Sequence, residues 1–169
     1  MSIPQYAEEL FELINKNRNF LEQWLAWLDN VQKVSDTKEF IELQLLKFQQ
    51  GEALYITIFY QDKIAGVLGY NQIDRVNSIG YIGYWLGQEY NGKGIMTKSV
   101  RELIEIGHSY YSLDRIDIRC AVGNSCSRAI PERLGFKNEG IIRHAQKVYD
   151  NYLDHVVYGL LKSDNYQSK

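Results

Sequence analysis

The stretch WLGQEYNGKGIMT, residues 85–97, decides the fold because two closely spaced glycines separate a strand-like segment from a helix-like one. Gly92 and Gly94 have no Cβ, so their backbone N–H groups can approach a bound anion closely. A helix that begins beside them adds up to about four unpaired amides and the positive end of its dipole. The stretch therefore predicts a pyrophosphate-binding turn, although a plain strand-to-helix connection would use the same glycines.

Two nucleotide-binding motifs are close to this pattern, and neither fits. Gly87, Gly92 and Lys93 match a P-loop, but the next position needs a hydroxyl for Mg²⁺ and holds Gly94. A dinucleotide-binding fingerprint needs a third glycine where Thr97 stands, and it follows the first parallel strand of its fold. The pattern thus favours a turn that binds phosphate without a metal.

The composition is typical of one globular domain, residues 1–169, long enough to bury a core. A net charge of −2 argues against direct nucleic-acid binding, which needs a basic excess. No apolar run reaches the roughly 18 residues of a membrane span, and MSIPQYAEEL has neither the basic nor the apolar region expected of a signal peptide. Cys120 and Cys126 cannot form a disulfide framework, so we expect a cytoplasmic protein.

Hydrophobic spacing divides the chain into N-terminal helices (4–50), a cofactor-binding core (53–135) and a C-terminal hairpin (136–162). The first part includes a predicted helix through FLEQWLAWLD (20–29) and another that Ser35 or Asp36 caps and Gly51 ends. The core begins with three strand-like runs, ALYITIFY, IAGVLGY and IGYIGYWL. Their short connections predict antiparallel neighbours.

A helix from 95 to about 110 and the alternating run DRIDIRCAV (114–122) follow the glycine turn. With the strand before the turn they predict a right-handed crossover between parallel strands. A short helix at 124–134 and two closing strands complete the pattern. The predicted fold class is α+β, with a mixed, mostly antiparallel sheet, a central βαβ unit and flanking helices.

Further motifs extend this pattern to a family. YNGKGIMT (90–97), followed by N-x-x-S-R-A-x-x-E-R-L-G-F (124–136), resembles the GCN5-related N-acetyltransferase (GNAT) superfamily. IGYWL, VGNSCSRAIPERLGFKNEG and DHVVYGLLKSD are similar to its RimJ/RimL branch, and the resemblance covers about residues 5–165. Members of that branch acetylate the N-terminal amines of ribosomal proteins or other primary amines.

The resemblance implies that acetyl-CoA is the cosubstrate and that no metal is needed. In the family, backbone amides of the glycine turn hold the pyrophosphate, and the strand before it lines the pantetheine arm. An asparagine hydrogen-bonds that arm, although a plain helix cap is an alternative role. The implied cofactor-binding residues are Tyr84, Trp85, Leu86, Gly92, Lys93, Gly94, Ile95, Met96, Thr97, Asn124 and Ser127.

The resemblance also identifies departures at the catalytic positions. Many members protonate the departing thiolate with a tyrosine, but that slot holds Pro131, so Ser127 is the candidate acid and Cys126 the second. Proline also leaves the Ser127 carbonyl without its usual amide partner, which should kink or shorten the helix. Related enzymes often carry a glutamate base where Tyr81 stands. Tyrosine is a poor base, so proton removal through water and an α-amine of low pKa are expected.

Glu89 occupies a slot where the family usually has Gln or Arg, and we expect its carboxylate to point away from the pyrophosphate. The three histidines lack metal-ligand spacing and are interpreted as structural or solvated. The aromatic cluster Phe20, Trp24 and Trp27 is interpreted as helix packing, with a contribution to the acceptor groove as the alternative.

The N-terminus and the acceptor leave alternatives open. The family usually opens with a strand that MSIPQY is too short to supply, so the sheet edge is exposed or covered by a partner chain, as in a homodimer. The acceptor amine is a protein N-terminus or a small amine such as a polyamine or aminoglycoside. A CoA-binding module that has lost catalysis is the non-enzymatic alternative.

Overall fold

The computed structural model describes residues 1–164, and the last five residues of the chain lie outside the described part. Its centre is one six-stranded sheet in the order β1-β2-β3-β4-β6-β5. Neighbouring strands are antiparallel except β3 and β4, which are parallel. The strands are β1 (Leu54–Tyr60), β2 (Lys63–Asp74), β3 (Ile79–Leu86), β4 (Arg115–Ala121), β5 (Lys137–Val148) and β6 (Asn151–Leu161).

Helices cover both faces of this sheet. They are α1 (Ala7–Lys16), α2 (Arg18–Leu21), α3 (Val34–Gln50), α4 (Ile95–Ser109) and α5 (Ser125–Arg133). The apolar face of α4 packs with one side of the sheet into a core that includes Val100, Ile104 and Ile118. Helices α1 and α3 form a second core on the other side, around Leu10, Ile41 and Val67. The predicted α+β class and the β3–α4–β4 crossover are confirmed.

Gly107 is the point where α4 comes closest to the sheet. The buried Tyr70 hydroxyl donates a hydrogen bond to the Leu103 carbonyl of α4, at 2.9 Å. A Cβ on Gly107 would lie 2.1 Å from that hydroxyl oxygen. Glycine is therefore required here by the close approach of a helix to a buried tyrosine, and not by its backbone angles.

Gly107→Ala should destabilise the protein by about 2 kcal/mol, the usual cost of overpacking a core. Urea unfolding of Gly107→Ala, Tyr70→Phe and the double variant measures it. Tyr70→Phe alone should cost about 1 kcal/mol through its lost hydrogen bond. Because Tyr70→Phe removes the clashing atom, the double variant should lose less than the sum of the two. Strictly additive losses would contradict the predicted clash.

The segment FLEQWLAWLD is not the continuous helix that its apolar spacing predicts. Helix α2 ends at Leu21, Leu25 is extended, and Ala26–Asn30 forms a 3₁₀ turn. The Arg18 guanidinium binds the carbonyls of Leu28 at 2.8 Å and Val31 at 2.6 Å, which folds the chain back on itself. Tertiary hydrogen bonds thus override the local helical preference.

Two other boundaries differ from the sequence prediction. Helix α3 begins at Val34, so Asp36 lies inside its first turn, and its carboxylate accepts from the backbone N–H groups of Gln32 and Lys33. Strand β2 continues to Asp74, beyond the predicted strand-like run IAGVLGY, which ends at Tyr70. The register of the β2–β3 pairing shifts between Tyr70 and Gln72, and the two strands then stay paired as far as Asp74. Gly51 ends α3 in the left-handed conformation, as predicted.

The N-terminal residues lie along the outer edge of β1, where the resemblance predicts a further strand. The Ser2 N–H donates to the Tyr55 carbonyl at 2.9 Å, and the Ser2 and Thr57 hydroxyls are 2.6 Å apart. Ile3 is extended, and a 3₁₀ turn begins at Pro4. This short segment covers part of the sheet edge that the sequence left open.

Candidate functional site

The site begins where β3 and β4 separate. In the two parallel strands, Ile79–Ile82 of β3 pair with Arg115–Ile118 of β4. Beyond these residues β3 stays paired with β2, and β4 stays paired with β6. Within residues 1–164 no further register pair joins β3 to β4, so a gap opens through the sheet between 83–86 and 119–121. The glycine turn follows β3 after a short 3₁₀ turn at Gln88–Tyr90.

The glycine turn has the geometry of an anion site. Gly92 and Gly94 both adopt left-handed conformations, with φ of 74° and 73°. A Cβ on either glycine would meet nothing within 4 Å, so the space beside both is open. Gly94 is the N-cap of α4, and Ile95 starts the helix, whose first N–H groups have no partner inside the helix. The open space and these amides fit a diphosphate.

Cationic side chains surround this turn. The Lys93 ammonium lies 5.3 Å from the ring centre of Tyr60 and 5.5 Å from that of Tyr90. Arg133, at the end of α5, donates to the Thr97 hydroxyl at 2.9 Å and so adds a guanidinium at the start of α4. Arg133 belongs to the motif at 124–136, but the sequence did not place it beside Thr97, because 36 residues separate the two.

Glu89 does not place an unpaired carboxylate at the turn. Its carboxylate forms a salt bridge with Lys16 of α1. That hydrogen bond is the largest cause of the lowered pKa of Glu89. The pair joins α1 to the segment before the glycine turn.

A recess of about 100 Å³ links the turn to the gap between the strands. Seven of the predicted site residues line it: Tyr84, Trp85, Leu86, Met96, Asn124, Cys126 and Ser127. Gly92, Lys93, Gly94, Ile95 and Thr97 form the turn and the first helical residues around Met96. The remaining predicted residue, Tyr81, lies apart from this recess and lines a larger cleft. Cys126 is solvent-exposed.

Asn124 is the N-cap of α5. Its side-chain oxygen accepts from the Ser127 backbone N–H at 3.0 Å. This bond confirms the capping role that the sequence offered as one alternative. It also fixes the first turn of α5, and with it the position of Ser127. Binding of a cofactor arm by Asn124 stays a prediction.

Tyr84 takes the place of the amide that Pro131 lacks. Its hydroxyl donates to the Ser127 carbonyl at 2.9 Å, the carbonyl that a backbone N–H at 131 would otherwise reach. Of the two effects expected of proline, the shortening is wrong, because α5 continues through Pro131 to Arg133, and the kink stays a prediction. The tyrosine hydroxyl satisfies the free carbonyl and so removes much of the cost of proline.

A small cluster of protonated groups lies in the gap. The Ser127 hydroxyl is 3.3 Å from the Tyr84 hydroxyl and 3.2 Å from the Cys120 sulfur. Burial raises the pKa of Tyr84 well above its usual value, and burial also raises the pKa of the Cys120 thiol. All three groups therefore carry their protons at neutral pH. The cluster can donate a proton, but it is a poor base.

The sequence implied that Tyr84 lines the pantetheine arm, and it gave Cys120 no role in the site. Strand alternation contained the missing signal. Ile82 and Tyr84 are on one face of β3, and Ile118 and Cys120 are on one face of β4. All four pack toward α4, the side from which Ser127 approaches.

A larger cleft of about 1030 Å³ runs through the gap to the other face of the sheet. Its floor includes the buried carboxylate of Asp117, which pairs with Arg115 and Arg119. Arg119 also lies over the Tyr81 ring, 5.5 Å from its centre. Trp24 lines both cavities, and Trp27 lines the larger one and packs against Trp85. Trp24 and Trp27 therefore border the cleft, and Trp27 also packs against the sheet through Trp85.

Within residues 1–164, no group of three or more His, Cys, Asp or Glu side chains is placed to hold a metal ion. None of the helices in that part of the chain has both the length and the apolar character needed to cross a membrane.

A sheet whose parallel strands part beside a glycine-opened helix, with proton donors in the gap, is the architecture of an N-acetyltransferase. The family model of the acetyltransferase (GNAT) domain matches residues 3–137, and the chain belongs to this family.

Individual relatives agree with this assignment. The ribosomal-protein-serine acetyltransferase of Escherichia coli (strain K12) is 33% identical over 90% of this chain and 86% of its own length. The solved structure of RimL, a ribosomal alpha-N-protein acetyltransferase in complex with coenzyme A, matches with a TM-score of 0.91 and 32% identity. It covers 95% of this chain and 90% of RimL. The coenzyme in that complex is in disulfide linkage with a RimL cysteine.

A third relative has a different ligand. The crystal structure of the microcin self-immunity acetyltransferase MccE, in complex with acetyl-CoA and AMP, is 38% identical with a TM-score of 0.89. It covers 94% of this chain and 88% of MccE.

Proposed function

We propose that this enzyme transfers the acetyl group of acetyl-CoA to the N-terminal α-amine of a protein, with a ribosomal protein as the first candidate. The observation that carries the proposal is the gap between β3 and β4, which joins the glycine turn on one side to an open cleft on the other. The E. coli relative, named for a ribosomal-protein serine, and the RimL complex with coenzyme A support it. The chain acts as one domain in this proposal.

The cofactor end of the site consists of the glycine turn and its cations. The amides of residues 92–97 bind the pyrophosphate, since the helix dipole and the open space both favour a diphosphate there. Lys93 and Arg133 add charge beside it. The recess lined by β3 and Asn124 holds the pantetheine arm.

The reacting end is the cluster around Ser127. When the acceptor amine forms its bond to the acetyl carbon, the carbon–sulfur bond breaks and the sulfur needs a proton. The Ser127 hydroxyl supplies it, and the Tyr84 hydroxyl beside it keeps the serine oriented. Cys126 is the second candidate donor, because it lines the same recess. The disulfide between coenzyme A and a RimL cysteine supports a thiol near the sulfur, and Cys120 is 3.2 Å from Ser127 Oγ.

The shape and charge of the cleft favour a peptide end as the acceptor. A site for a polyamine needs uncompensated carboxylates, whereas the buried Asp117 is already paired with two arginines. Asp36, the other carboxylate in the cleft lining, pairs with Lys33 and accepts from two backbone N–H groups. A volume of about 1030 Å³ also exceeds what a small amine fills. The AMP bound by MccE supports a second candidate, an amine attached to a nucleotide, because Arg119 and Trp27 line this cleft.

An acceptor panel tests the proposal through thiol release and product mass. The central pair is a short peptide with a free N-terminus and one internal lysine, and the same peptide with its N-terminus blocked. At pH 7 the free peptide should react and the blocked one should not, because an α-amine (pKa about 7.7–8.0) is partly neutral and a lysine (about 10.4) is not.

The same panel separates the rival functions. Turnover of spermidine or an aminoglycoside, with the peptide silent, would replace the peptide proposal with the small-amine alternative. Turnover of an aminoacyl nucleotide alone would favour the MccE-like candidate. If acetyl-CoA binds and no amine reacts, the chain is a binding module and the enzymatic proposal fails.

A further inference from the structure

We propose that His155 is the general base of this enzyme and takes the proton of the acceptor amine through its Nδ1 atom. The inference rests on the proposed N-acetyltransferase function. It assigns the proton removal, for which the sequence offered only Tyr81 and ordered water.

His155 lies on the acceptor side of the gap. It is on β6, directly opposite Ala121 of β4, where β3 and β4 have already separated. Its neighbours Val156 and Tyr158 are buried in the core beneath α4. Because side chains alternate along these residues, Val156 points to that core and His155 to the opposite face. The imidazole is half-buried and lines the large cleft together with Tyr84 and Ser127.

The proton donor and the proposed base therefore stand on opposite sides of the same opening. Ser127 approaches from α5 on the α4 side, and His155 faces the cleft beneath α1–α3. A thioester held in the gap has the departing sulfur near one group and the incoming amine near the other. This is the arrangement that acid–base catalysis of an acyl transfer needs.

A chain of hydrogen bonds fixes which imidazole nitrogen is basic. Gln146 donates from its Nε2 to the Trp24 carbonyl at 3.1 Å, so its Oε1 is the atom that faces His155 Nε2 at 3.0 Å. An amide oxygen can only accept, so His155 Nε2 carries a proton. In the neutral imidazole the lone pair is then on Nδ1. Gln146 acts as a positioning residue that keeps this tautomer.

The surroundings of His155 favour the neutral imidazole. Burial lowers its pKa below the usual value, and the positive charge of Arg119 lowers it further. On its other side β6 pairs with β5, where the uncharged Ile142 lies opposite His155. The cleft is also lined by charged or titratable groups from other elements: Asp36 and Lys47 on α3, Tyr55 on β1, Tyr81 and Tyr84 on β3, and Asp117, Arg119 and Cys120 on β4.

The proton balance closes with these groups. An acceptor that arrives as an ammonium loses one proton to His155 Nδ1, which frees its lone pair for attack. After attack the new amide nitrogen sheds a second proton. The departing thiolate gains a proton from the Ser127 hydroxyl. The second proton from the amide nitrogen then returns to the Ser127 oxygen. The net reaction releases one proton, from the imidazolium to water.

The test compares His155→Gln with His144→Gln, a matched change at an exposed histidine of β5. We measure kcat at saturating peptide between pH 5 and 9. His155→Gln should lose about 100-fold at pH 6.5, the lower end of the range for a general base, and less than about tenfold at pH 9. At high pH the α-amine, with a pKa of about 7.7–8.0, loses its proton without help.

The pH profile also has a definite shape. In the wild type, kcat should rise with pH through a pKa below 6.5, since the imidazole must be neutral to accept a proton. In His155→Gln that rise should move to the pKa of the amine, about 7.7–8.0. His144→Gln should match the wild type. Binding of acetyl-CoA, measured by calorimetry, should be equal in all three.

Two outcomes separate this inference from the function beneath it. An active wild type with an unchanged pH profile in His155→Gln would overturn the base assignment and leave the acetyltransferase proposal intact. A wild type silent with every amine would overturn both. If His155→Gln does not fold, Gln146→Leu provides the second test. Loss of the fixed tautomer should lower its kcat at pH 6.5 more than at pH 9, and equal losses at both values would contradict the role of Nδ1.

Discussion

Gly92→Asp is expected to weaken acetyl-CoA binding by at least about 100-fold, which corresponds to about 2.7 kcal/mol. The new Cβ would occupy the open space beside the turn, where nothing now lies within 4 Å. The new carboxylate would repel the pyrophosphate that the amides of residues 92–97 are proposed to bind. A side chain at φ 74° adds backbone strain. Calorimetry with acetyl-CoA and with CoA measures the effect, and both ligands should lose equally because the acetyl group is remote from the turn.

Gly135→Asp is the matched control for this change. Gly135 also has a left-handed conformation, with φ of 81°, and open space where its Cβ would be. The control therefore carries the same charge and similar strain, outside the glycine turn. It should bind acetyl-CoA as the wild type does. Unchanged affinity in Gly92→Asp would disprove the pyrophosphate site, and equal losses in both variants would attribute the effect to strain or net charge.

Ser127→Ala is expected to lower kcat about 100-fold at pH 7 with little change in acetyl-CoA affinity. This is the lower end of the range for general acid catalysis, because a thiol with a pKa of about 8.5 is a fair leaving group without help. The backbone N–H of residue 127 still donates to Asn124, so the cap of α5 should survive. Stopped-flow thiol release measures the chemical step.

Two variants distinguish the possible donors. Ser125→Ala changes an exposed serine at the start of the same helix and should leave kcat unchanged. Cys126→Ala should also leave it unchanged. If Ser127→Ala is as fast as the wild type while Cys126→Ala is slow, the donor is Cys126. If only Tyr84→Phe is slow, the tyrosine hydroxyl delivers the proton.

The parts of the fold that the sequence predicted well have a strong local period. The apolar face of α4 recurs through Met96, Val100, Leu103 and Ile104, and polar and apolar residues alternate along β4 from Arg115 to Cys120. Glycines mark the turn itself, since few other residues adopt its backbone angles. Local patterns of this kind specify the crossover from β3 to β4 without knowledge of any distant contact.

The prediction was wrong where long-range contacts decide the backbone. The turn after α2 depends on bonds from Arg18 to carbonyls 10 and 13 residues away. The unbroken α5 depends on Tyr84, 43 residues from the carbonyl that it satisfies. Neither partner leaves a signal in the spacing of neighbouring residues.

The sequence likewise predicted only the parts of the candidate site that lie in short motifs. The turn and Asn124 are parts of short motifs, so their positions were accessible from the sequence. The hydrogen-bond chain from Trp24 through Gln146 to His155 joins residues up to 122 positions apart. Scattered histidines were therefore interpreted as structural or solvated, and only the structure places one in the cleft. The roles of these residues in binding and catalysis stay predictions until the variants are measured.

The four residue pairs between β3 and β4 are a short seam that joins two three-stranded ribbons into one sheet. A coenzyme arm that lies beyond these four pairs would contact both ribbons where β3 and β4 no longer share backbone hydrogen bonds. It would then stabilise the sheet as well as carry the acetyl group. Lengthening the seam by even two pairs would make the sheet more rigid and close the passage that the chemistry requires. The same few residues thus hold the two halves of the sheet together and determine the width of the opening between β3 and β4.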